Sequence, residues 1–178
     1  MHNFFMLFKQ WLRLLTKQFA RPFIPGGEVC VESRLSAVHL GPTGEVIKDH
    51  GIVATKQVTD AFVAFVVDQL QAETTEIGDC KYHDSGTGVT AENATDTGLG
   101  TKVETGRATG SQAEGASANI YQTVGTISYT ATRAITEHGV FTQAAAGTLV
   151  DRSVFTAINV NNGDSIQFTY ELTLPSGG

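Results

Sequence analysis

The stretch Ser165-Ile-Gln-Phe-Thr-Tyr-Glu-Leu-Thr-Leu174 alternates without a break. Ile166, Phe168, Tyr170, Leu172 and Leu174 fall on one face of an extended chain, and Gln167, Thr169, Glu171 and Thr173 on the other. Successive side chains of a strand point to opposite sides of a sheet, so this pattern is a strand with one buried and one wet face. Before it, Asn161-Asn-Gly-Asp164 carries turn chemistry, because Asn and Gly tolerate positive φ. Thr148 to Phe155 and Ile135 to Phe141 read as two more strands, joined through a short Ala-Ala-Ala-Gly link. The spacing predicts one antiparallel sheet unit over residues 134–174, with no obvious reactive centre.

The rest of the body fits a β-rich chain. Val29, Val31, Val38 and Leu40 alternate loosely, Gly41-Pro-Thr-Gly44 is a tight turn, and Glu45 to Lys48 starts a return strand, which together predict a hairpin. Thr55 to Ala72 places Val58, Ala61, Phe62, Phe65, Val66 and Leu70 on one helical face, with Thr59 or Thr55 as the cap. A helix over 56–71 follows, although Phe62-Val-Ala-Phe-Val-Val67 also suits a strand. Ile77 to His83 reads as a strand. Residues 84–115 form a long segment rich in Gly, Thr, Ala and Ser, of the kind that contacts a partner. Within it the pattern predicts a helical turn at 91–95, a short strand at 101–105 and an exposed loop over 108–117. Asn119 to Thr130 is a strand.

With 178 residues, 19 of them Gly and only 17% charged, the chain holds one core of ordinary size and favours strands and turns. The expected fold is mainly β: an antiparallel, jelly-roll-like sandwich over 26–178, with one embedded helix and an N-terminal amphipathic helical arm over 1–25. Closing or stacking the sheets hides edges that a Thr-rich chain would otherwise expose.

The arm stands apart in charge. Lys9, Arg13, Lys17 and Arg21 have no acidic neighbour in 1–25; the net charge of −6 therefore divides into +4 there and −10 in the body. Lys9, Arg13 and Lys17 recur on one helical stripe, while Phe4, Phe8, Trp11, Leu12, Leu15 and Phe19 form the opposite stripe. Pro22 and Pro25-Gly-Gly27 stop the helix. The run from Phe4 to Phe8 is too short for a secretory signal, and the cations interrupt any membrane span. A membrane-surface helix, a helix packed on its own domain and a docking arm in a groove of a partner protein remain; the docking arm is preferred. Burying six such side chains contributes roughly 9–18 kcal/mol before ordering costs.

Reactive chemistry finds little support. Gly86-Thr-Gly88 and Gly98-Leu-Gly100 match neither GxGxxG nor a Walker pattern, and turn glycines explain them better. Cys80 and His83 have metal-like spacing, but on a strand they point apart. Glu137 and His138 also face opposite ways, and one of them should pack or hydrogen-bond across a sheet or subunit interface. Asp84-Ser85 and Asp164-Ser165 lack a nucleophile elbow. Asp151-Arg152 is expected to form a surface or interface ion pair. Asp79, Asp84, Glu92 and Asp96 lack the spacing of a Ca²⁺ loop. Cys30 and Cys80 read as buried free thiols rather than a bridge. An acidic body argues against nucleic acid as a partner. Neither a metal nor an organic cofactor is expected.

The segments Ile135-Thr-Glu-His-Gly-Val-Phe141, Gly147-Thr-Leu-Val-Asp-Arg-Ser-Val-Phe155 and Asn161-Asn-Gly-Asp-Ser-Ile-Gln-Phe-Thr-Tyr-Glu-Leu-Thr-Leu174 resemble a group of small β-rich structural proteins of tailed bacteriophages. Lys81-Tyr-His-Asp-Ser-Gly-Thr-Gly88 and Ala94-Thr-Asp-Thr-Gly-Leu-Gly100 fit the same group, which includes decoration, cement, head-fibre and tail-associated proteins. The resemblance covers Val46 to the C-terminus. It implies a non-enzymatic virion protein, first of all a capsid decoration or cement protein, with the major capsid protein or other virion proteins as partners, a homo-oligomeric state and a location in the virion assembled in the host cytoplasm. A tail, collar or fibre-adaptor component is the second expectation. A carbohydrate-binding module or hydrolase is the third, weakened because Trp11, the single Trp, lies in the arm and no catalytic carboxylate pair can be assigned.

Overall fold

The computed structural model describes residues 31–56, 58–70, 79–103 and 106–174. The predicted arm, with Phe4, Phe8, Lys9, Trp11, Leu12, Arg13, Leu15, Lys17 and Phe19, lies outside the described residues, as does Cys30.

Among the described residues, nine strands and one helix follow in order: β1 (Glu32–Leu40), β2 (Val46–Lys56), α1 (Asp60–Leu70), β3 (Tyr82–Gly86), β4 (Ala108–Thr109), β5 (Ser111–Glu114), β6 (Ile120–Ser128), β7 (Arg133–Phe141), β8 (Leu149–Val160) and β9 (Ser165–Thr173). They form two antiparallel sheets, a five-stranded one ordered β2-β1-β9-β6-β5 and a four-stranded one ordered β4-β3-β7-β8. The expectation of a mainly β fold with one embedded helix holds. The two sheets share one apolar core in a sandwich-like arrangement. Leu35, Ala37, Ile127, Ile166, Phe168 and Tyr170 come from the larger sheet, and Ile135, Val140, Phe155 and Ile158 from the smaller.

The alternating stretch is β9, and its burial follows the alternation: Ile166, Phe168, Tyr170 and Leu172 are buried. Leu174 is the exception. It stands past the end of the strand and is 53% exposed. A larger correction concerns the C-terminal unit, because β7, β8 and β9 do not share a sheet. β7 pairs with β8, whereas β9 crosses to the other layer and pairs with β1 and β6. Alternation shows that one face is buried, not against which neighbours the strand is hydrogen-bonded.

Other elements shift. α1 starts at Asp60 rather than 56 because β2 runs on through Lys56. Its cap is Thr59, whose Oγ1 accepts from the Phe62 amide at 3.2 Å and donates to the Leu149 carbonyl, fastening the helix to the end of β8. β3 begins at Tyr82 and runs on to Gly86, into the stretch read as loop. Residues 91–95 contain no helical turn; Asn93 Oδ1 accepts from the Thr95 amide and hydroxyl instead, the local bonding by which Asn competes with helix. Within 101–103 there is only a bridge between Gly86 and Lys102. The loop expected over 108–117 is two short strands separated by Gly110, one in each sheet, so the chain crosses between layers there.

The flank away from that crossing is formed by β2 and β8, each the last strand of its sheet. β2 carries three extra residues relative to β1, namely Ile47, His50 and Val53. Bulges of this kind bend an edge and spoil its pairing with a foreign strand. No helix among the described residues is long and apolar enough to cross a membrane.

Candidate functional site

Two neighbouring residues of β7, Glu137 and His138, each centre a buried polar group. They face opposite sides of the sheet, as strand alternation requires, and both are buried.

Glu137 faces outward, under the 87–103 loop, and has no exposed surface. Its Oε1 accepts from the amides of Gly88 at 2.9 Å and Thr101 at 2.7 Å. Its Oε2 accepts from the Gly100 amide at 2.9 Å and from Arg152 Nε at 2.8 Å, with a second guanidinium nitrogen also at 2.8 Å. Burial alone would raise this carboxyl's pKa; the amides and the guanidinium outweigh it and hold the group below the ordinary carboxylate range. Arg152 also reaches Asp96 Oδ2 at 2.9 Å and the Thr90 carbonyl at 3.2 Å. One carboxylate and one guanidinium on adjacent strands thus hold both ends and the middle of the loop.

The glycines make this possible. A Cβ on Gly86 or Gly88 would lie 2.4 Å from Glu137 Oε1. Neither Gly86, Gly88, Gly98 nor Gly100 has positive φ, so backbone conformation does not require glycine at any of them. At 86 and 88 the missing side chain makes room for a carboxylate. The amide cradle that a glycine-rich loop can offer a phosphate is filled here by the protein's own anion.

A second ionic contact lies alongside. Asp84 Oδ2 accepts from Lys102 Nζ at 2.8 Å, with Arg107 Nε at 3.8 Å. Burial raises the Asp84 pKa against the pull of Lys102. Arg107 covers the Phe141 ring at 3.4 Å and donates to the carbonyls of Gln143, at 2.7 Å, and Ala146.

His138 faces inward. Its Nε2 is 3.0 Å from His83 Nδ1, and His83 Nε2 is 3.1 Å from Thr123 Oγ1 across the sheet interface. The His138 ring lies against Phe168, with centroids 4.3 Å apart. His83 occupies a slot lined by two glycines: a Cβ on Gly125 would meet its Cδ2 at 2.4 Å, and one on Gly110 its Nε2 at 2.8 Å. Burial lowers the pKa of His83 to about 4 and that of His138 well below the usual imidazole value.

Further polar groups share the interior. Asp151 accepts from Ser33 Oγ at 2.7 Å and Ser153 Oγ at 2.9 Å, and Ser85 Oγ meets Tyr129 Oη at 3.0 Å. Asp151 and Arg152 therefore do not form the expected surface ion pair; they face opposite sides of β8 and each has its own buried partners. Asp79, Asp84 and Asp96 are each taken by a different cation, Lys81, Lys102 and Arg152, and no group of three or more metal-ligating side chains occurs among the described residues. Cys80 is a buried free thiol, pushed up to about 11 by burial. His39, 6% exposed, contacts Asp164 Oδ2 at 2.9 Å and ties β1 to the β8–β9 turn. Asp164 also caps Asn161, and these bonds lower its pKa.

The expectation that Glu137 or His138 packs or hydrogen-bonds across a sheet or subunit interface is met by His138, which packs on Phe168 of the other sheet. The partners Arg152, Thr123 and Gly125 were not anticipated. The pairs Gly86/Gly88 and Gly110/Gly125 were the available signal, since glycine off a turn marks close approach.

Comparison with known protein families, with curated proteins and with solved structures finds no match for this chain.

Proposed function

We propose that the protein is a non-enzymatic structural component of a tailed-phage virion, binding the assembled capsid as a decoration or cement subunit. The observation that supports this reading is where the reactive-type side chains are. His83, Ser85, His138, Asp151 and Ser153 are at most 2% exposed, so no substrate reaches them. What faces outward is a loop fixed in shape by Glu137 and Arg152, which suits a docking surface that binds without reordering. Binding the assembled lattice but not free subunits stabilises the lattice by mass action. The sandwich is read as jelly-roll-like, with the arm over 1–25 as the peg into the shell and a symmetric homo-oligomer as the bound unit. Immunogold labelling of intact particles, with an antibody against the 87–103 loop, tests this. Labels spread over the head are expected. Labels confined to tail or neck favour the fibre-adaptor reading, and unlabelled particles that lack the protein overturn both.

A further inference from the structure

His83 and His138 are joined side chain to side chain at the meeting of both sheets. His83 belongs to β3 and His138 to β7 of the smaller sheet; Thr123 belongs to β6 and Phe168 to β9 of the larger. With both rings neutral, the His83–His138 and His83–Thr123 bonds are both made. One proton lies between Nδ1 of His83 and Nε2 of His138, and the Thr123 hydroxyl donates or accepts as the tautomer requires. A second proton in that gap would set N–H against N–H.

Among the described residues, no carboxylate acts on either ring to compensate an added charge. On β3, Asp84 turns to the outer face and is held by Lys102, while Ser85 bonds Tyr129. On β7, Glu137 is on the outer face with Arg152. Tyr121 of β6 directs its hydroxyl to the Cys80 carbonyl. From β9 the facing groups are Phe168 and Tyr170, and from β1 Leu35 and Ala37. Asp151 of β8 is held by Ser33 and Ser153. At the crossing, Gly110 adds no side chain, and Lys81 is paired with Asp79. The two glycines let the backbone pack directly against the His83 ring, which has no exposed surface.

We infer that the His83–His138 pair is an acid-release device: in a mildly acidic medium protonation of the pair drives the two sheets apart and opens the fold. The sign follows from linkage. Each folded-state pKa is depressed, so the unfolded chain binds the extra protons first. The pair's stabilising contribution is whole above about pH 6.5 and falls as the pH drops toward about 4. A histidine near 4 in the fold and near 6.5 unfolded lowers the folding constant by about 30-fold between pH 7.5 and pH 5.

The test is urea unfolding of the full chain at pH 7.5 and pH 5, wild type against H138Q. A glutamine amide replaces Nε2 in its bond to His83 but takes no proton. The remaining histidines are common to both proteins and cancel. Each ring held neutral in the fold contributes about 30-fold over this interval, so wild type should lose on the order of 900-fold in folding constant and H138Q, which keeps His83, about 30-fold. Equal losses in the two proteins overturn the inference. Should H138Q fail to fold, imidazole nitrogen shifts of wild type by NMR decide it. Both rings should stay neutral in the folded protein at pH 5.5, and a ring that titrates near 6.5 without unfolding overturns the inference.

Discussion

Glu137 and His138 are consecutive, equally buried and polar, yet their surroundings solve the problem of burial in opposite ways. Glu137 is charged, and the chain brings it three backbone amides and a guanidinium. His138 is neutral, and the chain brings it another neutral ring and an aromatic face. A buried charge demands several fixed donors, which is why the outer site organises a whole loop. A buried neutral imidazole demands only one partner per nitrogen, which is why the inner site needs little more than a slot. The difference sets how each fails: the outer site by losing a partner, the inner site by gaining a proton.

The comparison is broken most severely by E137Q. The amide cannot accept all the bonds the carboxylate did, and it leaves Arg152 buried with too little negative charge. A loss of about 3–5 kcal/mol is expected in chemical denaturation. Hydrogen exchange should accelerate selectively at the amides of Gly88, Gly100 and Thr101. Unchanged exchange at those three would show that the loop is held by something other than Glu137.

G125A tests the inner slot by volume rather than charge. The added methyl meets the His83 ring, so about 1–3 kcal/mol should be lost. A stability equal to wild type would mean that the ring yields.

Acid titration sharpens the contrast in time order. Glu137 and Asp164 have lowered pKa values, so their stabilisation is present above the unfolded carboxyl pKa and disappears as the pH falls below it. The stability curve should therefore fall in two steps, histidines first and carboxylates below about pH 4.5. H138Q should shrink the first step only, and E137Q the second only.

The smallest effect is expected for D96N. Asp96 is the more exposed partner of Arg152, its side chain 25% accessible, so about 0–1 kcal/mol is at stake. Raising the salt concentration should reduce the difference from wild type further.

How much of this was legible in the sequence divides along the same line. Period-two patterning located β6, β7 and β9, and it placed Glu137 and His138 on opposite faces, because those are local properties of a pleated chain. It did not show that β9 leaves β7 and β8 for the other sheet, since pairing is decided by distant strands. Nor did it pair Arg152 with Glu137; Asp151 was nearer in sequence but lies across the sheet. The amide cradle was written as glycines at 86, 88 and 100, a pattern shared by ordinary loops. Only the carboxylate brought beneath them by β7 distinguishes the two cases.

The position of β9 also bears on how the molecule comes into being. It is the central strand of the larger sheet, bonded to β1 on one side and to β6 on the other. On a ribosome β1 and β2 emerge long before their missing neighbour is made, and they wait as a hairpin with one side of β1 open. The larger sheet closes only after residue 173 is synthesised, so its assembly is a late, long-range event. Loop closure over such separations is slow, and the waiting hairpin is the species that encounters other nascent copies.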